Sequence, residues 1–145
     1  MSGKMINSPD LSMNQVKADI LMARSALEKS KESPNKIAKY LRGQCGYHLQ
    51  QAAEKMIKIQ LYAAVTTVDQ RKIYKHDLVE IITYAKSLGV NLDIPKYIDE
   101  RAMTISSWEA EGRYDVHVVV KSNTLAKCLS VIEEWHADML RNGFK

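Results

Sequence analysis

Apolar positions along this chain recur at intervals of three and four, the period of a helix rather than of a strand. Met13, Val16, Ile20, Ala23 and Leu27 form the first stripe. It predicts a helix from about Pro9 to Lys31, with Ser8 as N-cap and Pro9 at the first helical position. Pro34 separates it from a second helix, expected from about Asn35 to Thr66. The inward stripe there is Leu41, Cys45, Leu49, Ala52, Met56, Ile59 and Ala63, and Gly43 and Gly46 are places where so long a helix can bend. A polar stripe of Gln44, His48, Gln51, Lys55, Lys58 and Tyr62 runs beside it. The small pair Ala52 and Ala53 admits a closely packed neighbour.

A third helix is expected to begin at Asp77, whose carboxylate caps while Glu80 reaches back. It buries Leu78, Ile81, Ile82, Ala85 and Leu88, and Gly89 ends it. Asp93 and Pro95 open a fourth, with Ile98, Ala102, Ile105 and Trp108 inward and Gly112 as its stop. Val116 to Val120 is β-branched without clean alternation and reads as an extended loop. Asn123 is the expected cap of a fifth helix, which carries Leu125, Cys128, Ile132, Trp135 and Met139 at helical spacing. Amphipathic helices joined by short connections give an all-α fold, an antiparallel bundle of four to five helices.

The length of 145 residues sets one domain, residues 1–145, with 1–8 as a flexible tail. Apolar residues at 46% and charged residues at 26% are ordinary for a globular protein. No apolar run reaches membrane-spanning length and the first residues lack an apolar signal segment, so the reading is cytoplasmic with no membrane partner. Cys45 and Cys128 read as reduced core residues, and no Cys/His spacing suits zinc, so no metal and no cofactor are expected. A net charge of +4 permits phosphate binding without demanding it. The densest basic cluster is Arg71, Lys72 and Lys75, in an expected loop.

Tyr47-His48, then Gln50-Gln51, Ala52-Ala53, Glu54-Lys55 and Lys58, resembles the second helix of HEPN domains. These are small all-helical proteins often encoded beside minimal nucleotidyltransferases. His76-Asp77-Leu78 with Ile81-Ile82 is similar to the family's entry to its third helix, and Arg113-Tyr114-Asp115 to its Arg-Tyr-Pro-Asp turn, here without the proline. The resemblance spans Gly46 to Asp115 and implies an HEPN-like bundle that commonly forms a homodimer. It implies a nucleotide- or RNA-binding module, the partner of a separately encoded nucleotidyltransferase in a toxin–antitoxin-like context. The alternatives are a metal-independent endoribonuclease toxin and a structural helical adaptor.

Candidate ligand-binding residues are His48, Gln51 and Lys55 on the polar stripe, together with Arg113 and Tyr114. A cation meets phosphate, and an aromatic ring beside a cation stacks on a base. For the ribonuclease alternative the candidate pair is Arg113 and His117. His accepts a proton near neutral pH, and Arg faces the developing phosphorane charge. The spacing of Arg113 and His117 is shorter than the family's pair, whereas Arg42 with His48 and Arg71 with His76 fall within it. The reading therefore favours binding over cleavage. Glu54 and Lys58 read as a surface ion pair, and His76, which precedes a cap residue, as one that bonds a neighbouring helix end.

Overall fold

The computed structural model describes residues 11–74, 76–109 and 120–145. The regular elements among them are all helices: α1 (Met13–Lys31), α2 (Asn35–Ala64), α3 (Gln70–Ile73), α4 (Leu78–Ser87), α5 (Lys96–Glu100), α6 (Ala102–Ser107) and α7 (Ser122–Arg141). The class is all-α, as the periodicity predicted, with seven described helices where five were expected.

The boundaries differ for local reasons. Helix α1 starts at Met13, later than expected, with Ser12 as its cap: the Ser12 Oγ accepts the Gln15 N–H at 3.2 Å. Helix α2 ends at Ala64, before Thr66, where Val65 turns extended (φ −131°, ψ 150°) at the head of a β-branched run. Helix α3 was not foreseen. Asp69 starts its single turn by accepting the Arg71 N–H at 3.0 Å.

Helix α4 follows the expected cap closely, with Asp77 Oδ1 taking the N–H groups of Val79 and Glu80. Gly89, at φ 77°, then lets Val90 N–H close on the Ala85 carbonyl at 3.0 Å. Leu88, expected to be buried, is 41% exposed, because it sits at the C-cap where the chain leaves the core. The expected fourth helix is two short ones, α5 and α6, broken at Arg101 (φ −111°, ψ 17°). Its inward residues Ile98, Ala102, Ile105 and Trp108 are nevertheless buried. Helix α7 begins at Ser122 behind an extended Lys121, which leaves Asn123 inside the first turn rather than at the cap. The Ser8–Pro9 start, the 1–8 tail, the Gly112 stop and Val116–Val119 lie outside the described residues.

Helix α2, 30 residues long, packs against α1, α4, α6 and α7. A short turn at Pro34 folds α1 back along it. At the other side of α1, Met13 lies by His136, and Leu27 and Lys31 lie by Ala126 and Ser130, so α1 and α7 run antiparallel. Enclosure widens the buried face of α2 beyond the expected stripe. Cys45, Leu49, Ala52 and Met56 are buried as expected, and Gly46, Ala53, Ile57 and Leu61 join them. Ala63, at the frayed end, is exposed instead. Gly46 provides close approach: a Cβ there would come within 3.3 Å of the Trp108 ring.

Ala52 has no exposed surface. Ala52→Leu is expected to overpack this contact and cost about 1–3 kcal/mol, read as a lower Tm. A parental Tm would place Ala52 off the packed face.

Candidate functional site

The polar stripe of α2 divides: His48 and Lys55 meet α1, whereas Lys58 and Tyr62 line an open cleft. Asp19, 6% exposed, comes from the otherwise apolar face of α1 and binds both cationic candidates. His48 Nδ1 lies 2.9 Å from Asp19 Oδ1, and Lys55 Nζ donates to Asp19 Oδ2 at 2.6 Å. Gln51 Nε2 donates to Gln50 Oε1 at 2.8 Å. The three sequence candidates are thus brought to one face of α2. There, His48 and Lys55 together bridge α2 to α1. Asp19 lay unremarked in the sequence because it falls between the members of the α1 apolar stripe.

A second knot gathers around Glu54, 5% exposed. Its carboxylate accepts from Gln50 Nε2 at 2.9 Å, from Lys58 Nζ at 2.7 Å and from His76 Nδ1 at 2.9 Å. Gln50 Nε2 also reaches the His76 carbonyl at 2.9 Å. The Glu54–Lys58 pair, expected at the surface, is enclosed instead, with side-chain exposures of 6% and 16%. The loop before α4 folds over it and supplies His76. His76, expected to bond a neighbouring helix end, instead bonds Glu54 in the interior of α2. An ionised carboxylate only accepts, so the Glu54 contact puts the hydrogen on Nδ1 and turns Nε2 away, toward Glu109 Oε1 at 3.8 Å.

The His76 side lies in an open cleft between α2, α3, α4 and α6. Lys58, Tyr62, Tyr74, Met103, Ser107 and Glu109 line it beside His76. Burial pushes the Tyr62 phenol pKa up, and a hydrogen bond from Gln70 partly offsets the rise. A smaller depression lies between α3 and α4, lined by Arg71, Lys72, Glu80, Thr83 and Ser87 among others. Glu80 lines both, so the two hollows adjoin along α3. The Arg71 side chain is 91% exposed and pairs with Asp69, whose pKa is lowered chiefly by that hydrogen bond. The basic cluster expected in a loop therefore stands, for Arg71 and Lys72, on a helical turn; Lys75 lies outside the described residues.

Arg113, Tyr114 and His117 also lie outside the described residues. The two pairs with ribonuclease-like spacing do not converge. Arg42 Nε donates to the Val120 carbonyl while His48 turns to Asp19. Arg71 turns to Asp69 while His76 turns to Glu54. Among the described residues no group of three or more His, Cys, Asp or Glu is placed to hold a metal ion, and no helix is long and apolar enough to cross a membrane. Comparison of the chain with protein-family models, with curated proteins and with solved structures gives no match.

The two carboxylates are buried alike, at 6% and 5% exposure, and differ in how many donors each holds. Asp19→Ala strands His48 and Lys55, each 18% exposed and within reach of water, and is expected to cost about 1–3 kcal/mol. Glu54→Ala strands three donors, Gln50, Lys58 and His76, against two at Asp19, and is expected to cost about 3 kcal/mol or more. Denaturant melts of both variants check the order, and equal midpoints would contradict it.

Cys45 and Cys128 are buried, and desolvation pushes both thiol pKa values up to about 12. Thiolate, the reactive form, is therefore scarce at neutral pH. Iodoacetamide is expected to spare both in the native protein and modify both in denaturant. Fast native labelling would contradict their burial.

Proposed function

We propose that this chain is an HEPN-type binding module for a nucleotide or single-stranded RNA phosphate, working beside a separately encoded nucleotidyltransferase. The observation that carries the reading is where the resembling segments meet. Gln50 and Glu54 of the first string close on His76 of the second, beside the cleft. These residues have a joint structural task, which random similarity of short strings would not require. Helix α3, next to that knot, turns Arg71, Lys72 and Tyr74 outward. Cations beside an aromatic ring suit a single-stranded nucleic acid, and the overall charge of +4 does not oppose it. Lys55 is a weaker phosphate contact on this reading, because Asp19 already neutralises it.

Fluorescence anisotropy with a labelled single-stranded RNA tests the proposal. Weak binding that falls steeply with salt is expected, with about a tenfold loss in the Arg71→Ala, Lys72→Ala double variant and no change in Tm. Salt-independent binding, or none, would overturn it. In chelator the RNA is expected to stay intact. Cleavage that persists there and disappears in both Arg113→Ala and His117→Ala would install the ribonuclease reading instead.

A further inference from the structure

Among the described residues, the two most exposed large apolar side chains are Tyr74, at 83%, and Met103, at 77%. Both line the same cleft, Tyr74 from the end of α3 and Met103 from α6. Apolar side chains that water reaches so freely contribute little to folding where they stand. Their shared location gives them a joint use. A planar ring entering the cleft would find an aromatic face from one helix and a polarizable thioether from the other.

Charge decides what kind of ring. The cleft is lined by Lys58 and His76 but also by Asp77, Glu80 and Glu109. Lys58 and His76 are, moreover, both bonded to the buried Glu54. A phosphate placed there would meet carboxylates without a free excess of cations. A neutral ring with polar edges would not be repelled, and the Tyr62 and Ser107 hydroxyls and the Glu109 carboxylate offer groups to its edge. Cations lie next door, where Arg71, paired with Asp69 in solvent, and Lys72 line the hollow that shares Glu80 with the cleft. Arg71 and Tyr74 are three residues apart on the same short turn.

We propose that the cleft is a nucleobase site: an unpaired base lodges against Tyr74 and Met103 while its backbone phosphate lies outside, toward Arg71 and Lys72. This rests on the nucleotide-binding reading above and deepens it. The site requires a base free of its duplex partner, so it takes single strands and rejects duplexes.

The experiment compares three labelled ligands on the full chain at fixed salt: a single-stranded RNA, an abasic oligomer of equal length and charge, and the RNA duplex. The intact protein is expected to bind the single strand about tenfold more tightly than the other two. Tyr74→Ala is expected to remove that difference, Tyr74→Phe to keep it, and both to leave the Tm unchanged because the ring is so exposed. Arg71→Ala with Lys72→Ala is expected to weaken single-strand and abasic binding by the same factor. Equal binding of base-bearing and abasic strands, still salt-dependent, would overturn the nucleobase site and leave the phosphate reading standing. Binding of neither would overturn both. A Tyr74→Ala variant that keeps the full preference would place the base elsewhere and overturn the assignment to this cleft.

Discussion

Helix α2 is packed against α1, α4, α6 and α7, and a helix so enclosed must find a partner for each polar group it carries inward. This constraint organises the molecule. Asp19 of α1 answers His48 and Lys55, and the loop before α4 delivers His76 to Glu54. Farther along, the buried Gln60 side chain takes the Asp93 N–H on its carbonyl and gives its own N–H to the Asp93 carbonyl, which Trp135 Nε1 also reaches. Through these bonds α2 fixes the position of three neighbours: α1, the α4 entry, and the segment that leads into α5.

The same constraint separates structure from surface. Of the candidates read in the sequence, His48 and Lys55 are consumed in holding α2 to α1, and Glu54, read as half of a surface pair, holds His76. What faces outward with little structural duty is elsewhere: Arg71, Tyr74 and Met103 around α3 and α6. The proposed binding role is placed on these residues, with the buried Glu54 knot beside them. His76 belongs to both, tied to Glu54 by one ring nitrogen and half exposed to the cleft with the other.

Much of the fold was legible in the sequence. Apolar residues at helical spacing marked every long helix, because burial of one face is a one-dimensional pattern that spacing alone records. Asp77 and Gly89 marked the ends of α4, because a cap and a left-handed residue act within one turn. The misses are equally physical. Ser12 caps α1 and Lys121 precedes α7 because the first turn was set by backbone geometry that several nearby residues could have satisfied. The single turn of α3 is too short to carry a period, and the break at Arg101 leaves the inward residues in register, so the spacing did not reveal it.

By itself, then, the sequence determined the all-α class, the long helices and most of the core, since these depend on local propensity and on which side chains avoid water. The tertiary structure alone decided the pairing of Asp19 with His48 and Lys55, the burial of Glu54 under His76, and the placing of Tyr74 and Met103 along one cleft. Those arrangements join residues far apart in the chain. No periodicity encodes such a contact, because its energy exists only once two helices have been brought side by side.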